Sequence, residues 1–142
     1  MAKHRCHRHR ILYEQGTRCP KCESARHKRY ESLKRDKERS KFYMTRDWKV
    51  MRQKVIDHYC GIDIWILGKT GKLSPCETIT VHHIYEYGSH PELALVFSNL
   101  IPVSSGSHNE IHAYYDSNRF EKALDIINRG IKLFEGLRNH GH

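Results

Sequence analysis

The apolar residues of the chain are concentrated in residues 45–142, where their spacing predicts a mixture of helices and short strands. In "TRDWKVMRQKVIDHY" (45–59), Trp48, Met51, Val55 and Tyr59 recur at helical spacing, and Thr45 can cap the helix. "GIDIWILG" (61–68) alternates isoleucines in the manner of a strand. The β-branched and aromatic run "ETITVHHIYEY" (77–87) predicts a second strand.

The rest of this region contains a short extended piece, a histidine-bearing helix and a long amphipathic helix. "NLIPVS" (99–104) is predicted to be extended, and "SSGSHNEIHAYYD" (104–116) begins with serine and continues into a helical pattern. A C-terminal helix over 117–138 places five large apolar residues on one face: Phe120, Leu124, Ile127, Ile131 and Phe134. We expect that face to pack on the domain core, the alternative being a partner surface.

The basic residues are concentrated at the other end of the chain. Residues 1–46 hold 15 Lys and Arg against 5 Asp and Glu, whereas residues 47–142 hold 10 against 11, so the first third accounts for the whole formal charge of +9. We expect a Cys/His-rich arm (1–25), a basic helix or linker (26–44) and a folded domain (45–142). The charge favours nucleic-acid binding over a merely solvated tail. The predicted DNA contacts are Arg26, Lys28, Arg29, Lys34, Arg35, Lys37, Arg39 and Lys41.

The hydropathy pattern argues against membrane and secreted proteins. No apolar run approaches the roughly 20 residues that a membrane helix needs, and the basic N-terminus lacks the apolar stretch of a secretory signal. We therefore expect a cytoplasmic protein with no membrane partner. The odd number of cysteines, 5, then argues against a disulfide framework and for metal ligands or buried thiols.

Two close pairs of metal-binding residues lie in the N-terminal arm. Two residues separate Cys6 from His9, and two separate Cys19 from Cys22, so short turns can bring all four around one tetrahedral Zn²⁺. A segment this small has no core of its own, and metal binding would supply its folding free energy. A redox pair is the alternative, although such a pair normally opens a helix after a strand. We predict a structural zinc site.

Four histidines of the folded domain form a pattern that packing alone does not explain. His82 and His83 are adjacent on a predicted strand, so their side chains point to opposite faces. His108 and His112 are four residues apart on a predicted helix and face the same way, which is a ready bidentate metal site. With His82 they can form a three-histidine site that leaves positions open for water and phosphate.

His83 points away from these ligands, and a neutral imidazole near pH 7 is suited to act as a general base. Asn99 can orient it, since an amide oxygen or a nearby backbone carbonyl can hold one ring nitrogen. A bound metal would offset charge on the phosphate and on the leaving 3′ oxygen. Any one histidine is more often a packing or surface residue, but the combination predicts phosphodiester hydrolysis.

The segment "VHHIYEY … SNLIPVSSGSHNEIH" resembles the HNH, or ββα-metal, endonuclease motif, and the resemblance covers roughly residues 45–116. It implies an α+β fold with a small ββα-metal core, flanking helices and the N-terminal zinc-binding arm. It implies that His83 is the general base, His82 the adjacent metal ligand, Asn99 the central asparagine and His108 the final histidine. Many members have Asp where His82 stands, and the similarity to colicin-type DNases extends the metal set to His112.

The layout is also similar to small phage-encoded HNH proteins associated with DNA packaging, which would place the protein in the host bacterial cytoplasm. We expect a metal-dependent endonuclease that nicks or cuts double-stranded DNA, with terminase subunits as a further partner. The alternative is a non-catalytic zinc-containing DNA-binding or terminase-accessory protein. Imidazole ligands suit Zn²⁺, Ni²⁺, Mn²⁺ or Co²⁺ as the catalytic ion, whereas Mg²⁺ prefers oxygen ligands.

The sequence departs from the family pattern at one set of positions. Many phage-type HNH domains hold a second zinc in the core through two Cys-x2-Cys pairs. The corresponding residues here are Cys60, Asp63, Ser104 and Ser107, of which only the first is cysteine. We therefore predict no core zinc and expect Cys60 and Cys76 to be small buried residues without a disulfide.

Overall fold

The computed structural model describes residues 2–140, and the chain divides into two compact units, Met1–Tyr43 and Met44–His142. Met1, Gly141 and His142, which belong to the predicted first and third segments, lie outside the described residues. The division falls one residue before the expected end of the basic segment. No helix within residues 2–140 has the length and apolarity needed to cross a membrane.

The N-terminal unit consists of a β-hairpin followed by one long helix. β1 (Lys3–Arg5) pairs antiparallel with β2 (Leu12–Glu14) within the expected Cys/His-rich arm, for which the sequence predicted no strand. α1 (Pro20–Tyr43) begins inside the predicted zinc arm, because proline is well tolerated in the first turn of a helix. No residue of α1 is buried, so this helix gains no stability from packing on a core.

The first helix of the second unit is the one expected from the sequence. α2 (Arg46–His58) is capped by Thr45, whose hydroxyl accepts a hydrogen bond from the Trp48 N–H at 3.3 Å. Trp48 and Val55, seven residues apart, are buried on one face. The helical spacing of the apolar residues thus identifies the side of α2 that packs on the core.

The strand predicted over residues 61–68 is wrong. This segment forms α3 (Ile64–Thr70), which begins after the N-cap Asp63 and ends at Gly71 in the left-handed region (φ 74°). Its buried residues are Ile64, Trp65, Leu67 and Gly68. An apolar run that is buried on several sides has no clear period, so the alternating isoleucines could not distinguish a strand from a helix.

A two-stranded antiparallel sheet carries the adjacent histidines. β3 (Ile79–His83) pairs with β4 (Leu100–Ser104) in a register that places His82 opposite Ile101. Both predicted extended segments therefore form strands, although the first ends at His83 rather than continuing to residue 87.

The helix after this hairpin carries the other two histidines. α4 (Ser105–Asp116) follows the second strand directly and buries Ser107 and Ile111. The loop between the strands contains two 3₁₀ turns, Pro91–Leu93 and Phe97–Asn99. The order strand, loop, strand, helix brings His82 of β3 next to His108 and His112 of α4.

The last helix, α5 (Phe120–His140), packs its apolar face on the core as expected. Its buried residues are Ala123, Ile127, Gly130 and Phe134. A Cβ atom on Gly130 would lie 2.2 Å from the Ile64 carbonyl oxygen, and one on Gly68 would lie 2.0 Å from the Ile126 carbonyl oxygen. The two glycines therefore allow the backbones of α3 and α5 to approach at a distance that any side chain would prevent.

A buried carboxylate joins the start of α3 to the start of α4. Asp63 is 0% exposed, and its Oδ1 accepts a hydrogen bond from the Ile66 N–H at 3.0 Å. Its Oδ2 accepts from the Ser104 N–H at 2.9 Å and from the hydroxyls of Ser104 and Ser107, each at 2.7 Å. Three of the four positions expected to have lost core zinc ligands thus form one hydrogen-bond network.

The expected burial of the two remaining cysteines is wrong for Cys60, which is exposed, and Cys76 is only half-buried. Cys60 lies in the turn after α2 with φ 54°, and Gly61 follows with φ 67°, so the chain reverses there at the surface. Both cysteines are free thiols. Burial, followed by the charge of Asp63, raises the pKa of Cys76 to about 11.

Candidate metal centres

Three sulfurs and one imidazole converge in the N-terminal unit. His9 Nδ1 lies 3.7 Å from Cys6 Sγ, 3.6 Å from Cys19 Sγ and 3.4 Å from Cys22 Sγ, and the sulfurs of Cys6 and Cys22 are 3.6 Å apart. A tetrahedral zinc with Zn–S of about 2.3 Å and Zn–N of about 2.0 Å has edges of roughly 3.8 Å between sulfurs and 3.5 Å between sulfur and nitrogen. The four groups can therefore hold a zinc ion with little movement.

Two turns position these ligands. The first follows β1, where the His9 N–H donates to Cys6 Sγ at 3.4 Å, and this bond is the main reason that the pKa of Cys6 falls to about 6. The second opens α1, and the hydrogen bond to Cys6 raises the pKa of Cys22 to about 11. One sulfur is thus largely thiolate at pH 7, the form that binds metal.

The position of the helix bears on the redox alternative. α1 does begin within the Cys-x2-Cys pair, so the absence of a helix is not a reason to exclude a redox role. The stronger reason is that Cys6 and His9 lie within metal-ligand distance of both cysteines. A redox pair requires no such neighbours, whereas a structural zinc requires four ligands.

A second cluster lies between β3 and α4 and consists of His82, His108 and His112. The Nε2 atoms of His108 and His112 are 3.1 Å apart, and the three rings offer nitrogens that all lie within 4.8 Å of one another. Two nitrogens on a tetrahedral metal at about 2.0 Å are roughly 3.3 Å apart. The spacing fits a divalent ion that imidazole ligands favour.

The environment of this cluster keeps the imidazoles of His82 and His108 neutral. Burial, and then the neighbouring His108 and His112, lower the pKa of His82 well below its ordinary value of 6.5. Burial, and then His112, also lower the pKa of His108. Neutral imidazole is the form that binds a metal, so these two side chains do not have to release a proton first at pH 7.

Two residues that the sequence did not predict contact ring nitrogens of these histidines. Glu86 Oε1 lies 3.1 Å from His112 Nδ1, so this carboxylate can keep the proton on Nδ1 and the lone pair on Nε2. The Tyr115 hydroxyl donates to the Ile84 carbonyl at 2.8 Å and lies 3.1 Å from His82 Nε2, from which its oxygen can accept. Tyr115 follows His112 by three residues on a helix, a spacing that could have identified it.

His83 lies in different surroundings from the three clustered histidines. Its ring stacks on Trp48 of α2, with centroids 5.0 Å apart and planes inclined by 21°. Its Nε2 lies 3.1 Å from the Ala94 carbonyl oxygen, which fixes the proton on Nε2 and the lone pair on Nδ1. Burial lowers the pKa of His83 although the Ala94 carbonyl opposes this effect, so the ring is neutral at pH 7.

Asn99 forms hydrogen bonds with the loop between β3 and β4. Its Oδ1 accepts from the Tyr85 N–H at 2.8 Å, and its Nδ2 donates to the carbonyls of Tyr85 and Leu93 at 3.1 and 3.2 Å. The backbone carbonyl that holds His83 belongs to Ala94, the residue after Leu93. Asn99 therefore acts on His83 indirectly, by fixing the loop that presents this carbonyl.

The eight predicted DNA contacts all lie on α1 and are exposed. They are not gathered on one side of the helix. Lys28 and Lys37, for example, are nine residues apart and therefore point in opposite directions. The positive charge of α1 thus surrounds the helix.

Comparison with known proteins gives no match among protein-family models, curated proteins or solved structures. The function is therefore inferred from the two clusters and their surroundings.

Proposed function

We propose that the protein is a metal-dependent HNH-type endonuclease that hydrolyses phosphodiester bonds of double-stranded DNA. One observation carries this proposal: neighbouring histidines of β3 lie in separate environments. His82 lies with His108 and His112, whereas His83 lies against Trp48 and the Ala94 carbonyl. Metal-assisted hydrolysis needs both a set of ligands and a base that the metal does not occupy.

Each residue then has a separate task. His82, His108 and His112 would hold the divalent ion, which when bound would offset negative charge on the phosphate and on the leaving 3′ oxygen. His83 accepts the proton of the attacking water on Nδ1, because the Ala94 carbonyl retains the proton on Nε2. The lowered pKa of His83 keeps its ring neutral at pH 7, the state in which an imidazole can accept a proton. Asn99 keeps the Ala94 carbonyl in place through the loop.

The N-terminal unit would contribute DNA affinity rather than chemistry. Its basic residues attract a polyanion, and a zinc ion held by Cys6, His9, Cys19 and Cys22 would fold the hairpin onto the start of α1. A DNA substrate and a reducing compartment that preserves the thiols both agree with a cytoplasmic location.

Cleavage of supercoiled plasmid tests this proposal. The zinc-loaded full chain is incubated with Mn²⁺, Ni²⁺, Co²⁺, additional Zn²⁺ or Mg²⁺, and the nicked and linear products are measured. His108→Ala and His112→Ala should lose the metal-dependent activity. His90→Ala is the matched control, since His90 is a half-buried imidazole that contacts Glu92 and lies outside the cluster. DNA binding without cleavage under every metal would contradict the proposal and favour the non-catalytic alternative.

A further inference from the structure

A cavity of about 520 Å³ lies beside the cysteine and histidine cluster of the N-terminal unit. Tyr13 and Glu23 form part of its wall, together with the sulfur ligands. Four arginines also line it: Arg5, Arg8, Arg18 and Arg26. Its volume lies within the range of roughly 300–1,000 Å³ that is typical of small-ligand sites.

The charge of this cavity points to an anionic ligand. The lining contains four arginines and one acidic residue, Glu23. Three thiolates around a Zn²⁺ would add one net negative charge, which still leaves the lining at +2. None of the four arginines takes part in an ion pair within residues 2–140, so none is held by a direct carboxylate contact there.

The chemistry of the guanidinium group favours phosphate among the possible anions. The planar fork of arginine forms two parallel hydrogen bonds with the oxygens of a phosphate, a geometry that lysine cannot match. All four basic residues that line the cavity are arginines, whereas α1 as a whole mixes lysine and arginine around its circumference. The helix thus supplies general attraction, and the cavity supplies a fixed place for one phosphate group.

We propose that this cavity binds a phosphodiester group of the DNA backbone and anchors DNA to the N-terminal unit. The choice of DNA rests on the proposed function, but the phosphate site does not depend on catalysis. Of the eight basic residues predicted from the sequence, only Arg26 lines the cavity; Arg5, Arg8 and Arg18 are additional contacts.

Binding of a fluorescein-labelled duplex, measured by anisotropy at several salt concentrations, tests the site in the zinc-loaded full chain without added catalytic metal. Arg5→Gln/Arg18→Gln removes two charges from the cavity. The matched control, Arg10→Gln/Arg46→Gln, removes two exposed arginines that neither line the cavity nor belong to the predicted DNA contacts. The cavity variant should lose at least about tenfold in affinity, and its log–log salt slope should fall by about 0.9, the contribution of one phosphate contact. The control should lose less than about threefold. Equal losses, or no loss in the cavity variant, would overturn the proposal.

A second measurement uses the unmodified protein, so its result does not depend on whether the variants fold. Phenylglyoxal labels accessible arginines, and mass spectrometry locates the labels. DNA should protect Arg5, Arg8, Arg18 and Arg26 more than Arg35 and Arg39, and phosphatidylglycerol vesicles should not. Uniform protection along the chain, or protection by vesicles alone, would overturn the site. Because neither measurement follows cleavage, a failure of the nuclease proposal is distinguishable from a failure of this one.

Discussion

Replacing Asp63 should expose how far the network between α3 and α4 stabilises the second unit. The two oxygens of this buried carboxylate serve two different backbone donors: Oδ1 accepts from Ile66 and Oδ2 from Ser104. Asparagine has one acceptor oxygen and one NH₂ group. In Asp63→Asn, one of the two backbone N–H groups must therefore face another donor, whichever way the amide is turned.

The magnitude follows from the number of buried donors left without an acceptor. One such donor costs about 1–3 kcal/mol, which is the loss expected for Asp63→Asn. Asp63→Ala leaves both N–H groups unpaired and should cost roughly 2–6 kcal/mol. The two serine hydroxyls add less, because without the carboxylate the Ser104 hydroxyl can donate to the Ser107 oxygen instead, at 3.2 Å. Against a total stability of about 5–15 kcal/mol, the alanine variant should be severely destabilised.

Urea unfolding monitored by tryptophan fluorescence measures this loss, since both tryptophans, Trp48 and Trp65, lie in the second unit. Asp57→Ala is the matched control, because Asp57 is exposed and accepts from the Gln53 side chain. It should change the free energy of unfolding by less than about 0.5 kcal/mol. If Asp63→Ala loses no more than this control, the network does not stabilise the fold and our reasoning is wrong.

Three further predictions concern the metal ligands and the helix crossing. Glu86→Gln should weaken metal binding at the histidine cluster about tenfold in titration calorimetry. Glu110→Gln, which removes an ion pair with Lys69 from the helix that carries His112, should not. Gly130→Ala should lower the free energy of unfolding by at least about 1–3 kcal/mol, because its Cβ meets backbone, while Gly136→Ala, with nothing within 4 Å, should be neutral or stabilising. The metal-free protein should lose thermal stability as pH falls below 6.5, because the pKa of His82 is lower in the folded protein and the unfolded chain therefore binds the proton first. In melting curves recorded at several pH values, His82→Asn should reduce this loss.

The sequence predicted the elements whose periodicity is clear. α2 and its Thr45 cap, β4 and the apolar face of α5 all follow from residue spacing. It failed at α3, where burial on several sides removes the helical period and the cap Asp63 is the main remaining signal. It also failed at the β-hairpin, because three-residue strands organised around metal ligands carry no pattern of their own.

The sequence likewise predicted part of the candidate sites and missed the rest. Spacing was enough to bring together the four N-terminal ligands and the three clustered histidines, because chelating pairs lie close in sequence. The contacts around these residues could not be predicted from the sequence. Glu86 meets His112 and the Ala94 carbonyl meets His83 only because the loop between β3 and β4 folds back, and a single sequence gives no measure of that path.

The proposed separate roles of His82 and His83 are tested most directly by two measurements on His83→Ala. These are its single-turnover rate on plasmid DNA and its affinity for the catalytic metal. Loss of a general base should lower the rate by about 10²–10⁴-fold. Metal affinity should stay within about threefold of the unmodified protein, because His82, His108 and His112 are intact. Cleavage at the original rate would show that His83 is not the base, and a parallel loss of metal would show that the two histidines do not have separate roles.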